Sequence, residues 1–205
     1  SLCGPTVAAI SAEQVSQLSS SAQIKHFIAN RGMFLSAAAG TGLTAQQIKS
    51  LSGLEFAQIS LDALRVMLPQ TLQAISGAQL SSLRQSVQCT IFGSNFKYIS
   101  VNALKSLSWS TWEEMAQIQI DSITNAALLE IENDIAKGNY FLPHEAIIRL
   151  SPSSVLGVSF LINCLSADET VKLIKNLSIS QDASKDLAII KVLNTATDEA
   201  MHNLV

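Results

Sequence analysis

The chain has 205 residues, 48% of them apolar and only 14% charged, with a net charge of −3. That length allows one sizeable domain with a real core and leaves room for two. So much apolar residue with so little charge excludes a disordered chain, and a small negative net charge leaves no nucleic-acid footprint. The charge is unevenly placed: residues 1–112 carry seven Lys/Arg and three Asp/Glu, whereas residues 113–205 carry six and thirteen. Opposite signs on the two parts could steer a partner or bring copies of the chain together head to tail, and two solvated faces are the plainer reading.

Along the chain the first strong signal is a register of eight. From Phe27 the positions Leu35, Leu43, Leu51, Ile59, Met67, Ile75, Leu83, Ile91, Ile99, Leu107, Met115, Ile123 and Ile131 are all large and apolar. Within it recurs an apolar residue, Ser or Thr, three variable residues, an apolar residue, two variable residues and another apolar residue. Copies open at Ile10-Ser11, Leu43-Thr44, Leu51-Ser52, Ile59-Ser60, Ile75-Ser76, Ile99-Ser100, Leu107-Ser108 and Leu150-Ser151. The hydroxyl accepts from an orphan N–H at a helix start. The apolar residue before it staples onto the one four beyond it, and Ser52 with Glu55 completes a capping box. In the last copy Pro152 falls at the first helical position, where proline is tolerated.

A single long helix fits this register poorly, because eight residues turn it by about 800° and the apolar stripe drifts. The spacing predicts helices of about two turns joined by tight corners. Helices that short are unstable alone, so they must stack on their neighbours as in a solenoid. An irregular bundle with many serine caps is the alternative. The segment Ala37-Ala38-Ala39-Gly40-Thr41-Gly42 reads as the clearest loop of the first half. Asp121 to Lys137 reads as one longer helix with a solvated acidic face (Glu130, Glu132, Asp134) and Gly138 as its C-cap. The pattern resumes out of phase at Leu142, Leu150 and Val158, and longer helices are expected near Ala167–Asn176 and Asp182–Thr195. The expected fold is therefore all-α, a superhelical array of short helices with a longer-helix C-terminal part. It reads as one repeat domain over 1–205, regular over about 10–138 and a looser part or cap over 139–205. A chain opening at Ser1 and ending at Val205 reads as a piece of a longer protein.

The octad resembles the short-helix repeats of the mesothelin, stereocilin and otoancorin family, which implies a superhelical solenoid at a cell surface. It is also similar to the L-T-x-x-Q-Φ-x-x-L octads of some bacterial surface and adhesion proteins, a pattern that Leu43-Thr44-Ala45-Gln46-Gln47-Ile48-Lys49-Ser50-Leu51 follows closely. The Ser/Gln/Ala-rich, proline-poor composition leans to the second. The resemblance spans about Ile10 to Val158 and implies a secreted or surface location, but it brings no catalytic residues.

The search for chemistry assigns no catalytic residue, metal ligand or cofactor. His144-Glu145 opens like a zincin helix, yet Ile148 stands where the second His belongs. Glu130, Glu132 and Asp134 have calcium-like spacing, but Ile135 replaces the required glycine. Ser94-Asn95-Phe96-Lys97 matches S-x-x-K by letters alone. Cys3, Cys89 and Cys164 are too sparse for a disulfide framework; one bridge stays open, with buried thiols the ordinary case. Pairing one of them with His26, His144 or His202 for nucleophilic catalysis has no local support, and leaves a pathogen effector enzyme as a distant reading. The longest apolar stretch, Val155 to Leu165, is far short of the ~20 residues that span a bilayer. Asn176-Leu177-Ser178 is a glycosylation sequon.

Binding features are stronger. Because the staple claims Trp112 for the core, Trp109 is expected to point outward, as an interface anchor does. Tyr140 and Phe141 follow the Gly138 corner and are the next candidates. A mean hydropathy of +0.30 is high for an ordinary monomer surface and suggests an exposed apolar groove or contacts to flanking repeats. The expected function is a protein–protein interaction module that binds another protein, with neither nucleic acid nor membrane insertion. A structural spacer that self-associates is the alternative.

Overall fold

The structure, a computed structural model, describes residues 10–196. It is an all-α array of short helices, and the chain divides into two compact units, Ser1–Ser108 and Trp109–Val205. The first holds α1 (Ala12–Ser16), α2 (Ser21–Arg31), α3 (Ala37–Gly40), α4 (Ala45–Ser50) and α5 (Gly53–Phe56). It continues with α6 (Leu61–Arg65), α7 (Pro69–Gln73), α8 (Gly77–Ser82), α9 (Gln85–Gln88) and α10 (Val101–Leu104). Single 3₁₀ segments stand at Gly32–Phe34 and Gly93–Tyr98. The second unit holds α11 (Trp109–Glu114), α12 (Gln117–Ser122), α13 (Asn125–Ala136), α14 (His144–Ile147) and α15 (Pro152–Gly157). It ends with α16 (Phe160–Asn163), α17 (Ala167–Ser178) and α18 (Lys185–Thr195).

Many of the helix starts are set by side-chain caps. The hydroxyls of Ser11, Ser20, Ser36, Thr44, Ser52, Ser60, Ser76, Ser100, Thr124, Ser151 and Ser166 each accept from the backbone N–H three residues on. Such a cap is worth about 1 kcal/mol, too little to hold a four- to six-residue helix alone, so burial must do the rest. The register supplies it: every register residue from Leu35 to Ile131 is buried, as are Leu142, Leu150 and Val158, while Phe27 at its start is half-buried. Five residues beyond the register lies a second buried position, filled by Ile48, Phe56, Leu64, Leu72, Leu80, Phe96, Leu104, Trp112, Ile120 and Leu128. A third, four residues beyond, is small or polar: Ala39, Gln47, Ala63, Thr71, Gln79, Ala103, Thr111 and Gln119.

In the first unit one pairing recurs. α3 packs on α6, α4 on α7, α5 on α8, α7 on the Gly93–Tyr98 segment and α8 on α10. These pairs begin at Ala37 and Leu61, Ala45 and Pro69, Gly53 and Gly77, Pro69 and Gly93, and Gly77 and Val101. In these five pairs each element meets the one that starts 24 residues later, three octads along the chain; α2 also meets both α4 and α5, and α9 packs on its neighbour α8. In the second unit α11 packs on α14, α13 on α15 and α16, and α18 on α15, α16 and α17. The strict offset is lost there because α13 runs to 12 residues and the chain leaves it through Gly138, whose φ of 72° a residue with a Cβ rarely adopts.

Polar groups that cross from layer to layer explain the third position. The Gln47 side chain accepts from Thr44 N–H at 2.9 Å, closing a capping box, and donates to Val15 O at 2.8 Å and Leu18 O at 3.1 Å. Gln79 does the same one stack further on, accepting from Ser76 N–H at 2.8 Å and donating to Ile48 O at 2.6 Å and Leu51 O at 2.8 Å. The buried Thr71 hydroxyl donates to Leu43 O at 2.8 Å. One amide thus starts its own helix and bonds the last carbonyls of an earlier one, adding a second donor on Val15 O and Ile48 O, which already accept from Leu18 and Leu51 N–H.

Two sequence expectations are corrected. Ala37–Gly40 is a helix, not a loop: Ser36 caps it, alanine is a strong helix former, and Gly40 occupies a core position. A Cβ on Gly40 would collide with the Ala63 backbone of α6, so glycine permits a close contact between the two helices. Asp121 to Lys137 is not one helix. It breaks at Ile123, whose backbone is extended, and Thr124 caps a new start; the octad register persists through this segment.

The amide ladder gives a direct test. Gln79→Glu keeps the cap acceptor but turns a buried carboxylate on two carbonyls, and is expected to cost at least about 2–3 kcal/mol in urea unfolding. Glu55→Gln, at an exposed capping box, is expected to change stability by less than about 0.5 kcal/mol.

Candidate binding surface

Trp109 opens α11 with its ring 52% exposed, and its indole N–H donates to Glu113 Oε1 at 2.7 Å. The hydrogen bond fixes a large flat side chain one helical turn from its partner on the same face. Trp112 is 2% exposed, as the staple requires, and its Nε1–H donates to Tyr140 Oη at 3.1 Å. Tyr140 is thereby a half-buried strut and not a free surface aromatic. Burial pushes its phenol pKa up, and the Trp112 hydrogen bond pulls the other way. Phe141, the next residue, is 71% exposed. Of the three aromatics expected at the surface, Trp109 and Phe141 are on it and Tyr140 is tied beneath.

The helix that carries Trp109 is anchored from the far end. Arg149 donates through Nη1 to Glu113 O at 3.0 Å, through Nη2 to Met115 O, and through Nε to Gln117 Oε1 at 3.4 Å. Gln117 returns a bond to Arg149 O at 2.8 Å and one to Asp121 Oδ1 at 2.8 Å. A guanidinium on the terminal carbonyls of α11 both satisfies them and complements the helix dipole. Nothing in the sequence pattern points to this clamp, because Arg149 lies 36 residues from Glu113. Beside it opens a cleft of about 770 Å³, bordered by Asp121, Arg149, Asn176, Ile179 and Asp182.

Several of the residues with chemical potential hold helices together. Glu132, expected on a solvated face, is buried and accepts from Ser159 N–H at 2.7 Å and Leu161 N–H at 3.1 Å. It caps α16 from a distance, where Ser159 makes no side-chain cap of its own. Cys164 donates to Phe160 O at 3.3 Å; burial, then the nearby Glu132 charge, push its thiol pKa up, away from the reactive thiolate. Cys89 is buried, while Cys3 and His202 lie outside the described residues. Ile148, in the second His place of the zincin pattern, is core. Among the described residues no group of three His, Cys, Asp or Glu could hold a metal ion, and no helix is long and apolar enough to cross a membrane. Asn176 of the sequon lies within α17 and donates through Nδ2 to Ile148 O at 2.9 Å, so a glycan on that nitrogen would break an interhelical bond.

One pair links two helices through charge. His144 Nδ1, on α14, sits 3.0 Å from both carboxylate oxygens of Glu169, which also accepts from the N–H and hydroxyl of Ser166. Burial pushes the Glu169 carboxyl pKa up, but the Ser166 hydrogen bonds, followed by His144, outweigh it and hold it below the usual 4.5.

Comparison of the chain with protein-family models, with curated proteins and with solved structures finds no match.

The Glu169 geometry fixes a pH response. A carboxyl held below its unfolded value stabilises the fold above that value, and the contribution is lost as pH falls through the lower folded pKa. Melting temperature measured against pH is expected to drop below about pH 4.5. Glu169→Gln is expected to melt lower than the native chain at neutral pH and to show a shallower acid loss.

Proposed function

We propose that this chain is a protein–protein interaction module that binds a partner protein through exposed aromatic and aliphatic side chains on its helical array. The observation that carries this reading is where the large apolar residues stand. The core positions of the octads are filled, yet Trp109, Phe141, Leu54 and Ile179 are 52%, 71%, 80% and 77% exposed. Apolar side chains left outside a completed core are not needed for folding. A half-exposed tryptophan with its indole pinned by Glu113 loses little freedom on binding, and such residues supply much of the affinity at interfaces.

In this reading Trp109 and Phe141 contact the partner, Glu113 and Arg149 position Trp109, and Tyr140 braces the Trp112 core beneath it. The octad resemblance supports reading the array as surface-displayed, with a partner outside the cell. No catalytic or cofactor role is assigned.

Trp109→Ala with Phe141→Ser tests it. Both side chains are outside the core, so the double variant should melt within a few degrees of the native chain, equivalent to under about 1 kcal/mol. In parallel titrations of purified candidate surface proteins against both chains, a true partner should bind the variant at least about tenfold more weakly, a loss of about 1.4 kcal/mol or more. Equal affinity of both chains for every partner that binds would overturn the assignment.

A further inference from the structure

Trp109 presents more than apolar area. An indole N–H lies in the plane of its ring, so the 2.7 Å bond from Nε1 to Glu113 Oε1 puts the carboxylate at the ring's edge. That leaves the π face of a half-exposed ring to solvent. A π face and a carboxylate beside it attract the same ligand, because the ring quadrupole and the anion both favour positive charge. A carboxylate has about four acceptor sites, of which the indole takes one.

The charges around the ring point the same way. Glu113 and Glu114 on α11 are exposed, as are Glu145 on α14, which packs on α11, and Asp121, bonded to Gln117 beside the Arg149 clamp. The cations on these elements are committed elsewhere. Arg149 is half-buried with its guanidinium on the Glu113 and Met115 carbonyls, and His144 sits against Glu169. Among the described residues the second unit places no cation on the Trp109 ring; the stacked pair is Lys97 over Tyr98 at 5.1 Å, in the first unit.

We propose that the Trp109–Glu113 pair takes an arginine side chain of the partner, its guanidinium stacked on the indole face and bonded to the carboxylate at the edge. Arginine fits better than lysine, because a planar guanidinium stacks on a ring and offers N–H groups at its rim, which a strongly hydrated ammonium does less well. The proposal rests on the interaction surface read above and adds the chemistry of its partner. That partner presents a basic segment, steered by the exposed carboxylates and loosened by salt.

Three unstructured Gly/Ser-rich peptides, with arginine, lysine or uncharged citrulline at the same positions, are the probes. At about 50 mM salt the arginine peptide should shift the indole N–H resonance of Trp109 and leave that of buried Trp112 in place. The lysine peptide should bind at least about threefold more weakly, and the citrulline peptide not at all. Glu113→Gln separates charge from positioning, since an amide oxygen still accepts the indole N–H. It should melt as the native chain does and lose at least about threefold in arginine-peptide affinity. An unmoved Trp109 signal, equal affinity for the lysine or citrulline peptide, or an affinity unchanged by Glu113→Gln would overturn the proposal. Those results leave the interface reading standing, which fails instead if Trp109→Ala with Phe141→Ser binds every partner as tightly as the native chain.

Discussion

A helix of four to six residues cannot hold itself together in water, and the rest of this structure follows from that constraint. In the first unit a recurrent pairing holds short helices to elements beginning 24 residues later, as α3 to α6, α4 to α7, α5 to α8 and α8 to α10, and the octad is the sequence device that brings each pair together. The register residue and the one five positions on supply the apolar contact. The residue between them, at position four, decides how closely the layers approach. Ala39 and Ala63 allow contact near enough that Gly40 has no room for a Cβ, while Gln47 and Gln79 fill the gap with an amide that bonds the earlier helix end. Size and hydrogen bonding at this one position matter more to the stack than the caps, since a cap contributes about 1 kcal/mol and an unsatisfied buried polar group costs about 1–3.

The same economy of means shows in the second unit, where the octad phase slips. There Glu132 caps a helix 27 residues away from within α13, and Arg149 closes the end of α11. Both are charged groups used as remote caps, where the first unit uses Ser, Thr and Gln. A consequence for binding is that Trp109 rides on a helix fixed at both ends, by its own bond to Glu113 and by Arg149 on the final carbonyls. The surface that would meet a partner is held before the partner arrives.

Many of the capped helix starts and two of the three buried positions were legible in the sequence, because hydroxyl caps and apolar staples act within five residues. The third position was not. Gln47 and Gln79 look like surface residues until Val15, Leu18, Ile48 and Leu51 are placed beside them, and their capping role was hidden because glutamine is read less readily than the glutamate of Ser52–Glu55. Ala37–Gly40 looked like a loop because its glycine signals a turn locally, whereas its actual reason, Ala63, lies in α6. Trp109 could be placed outside by elimination, since the staple assigns Trp112 to the core. Tyr140 could not be placed, because the indole that ties it down is 28 residues earlier. What was missed in each case was a contact between octads, and the sequence pattern describes only what happens inside one.

Native-state hydrogen exchange on Leu64→Ala tests the stacking rule most directly. Leu64 is the fully buried contact of α6, and its truncation should remove about 2–4 kcal/mol of packing. If each helix is held by the one three octads away, amide protection should fall in Ala37–Gly40 as much as in Leu61–Arg65, and more than in the sequence neighbour Gly53–Phe56. Protection lost in Gly53–Phe56 and Pro69–Gln73, with Ala37–Gly40 unchanged, would contradict the account.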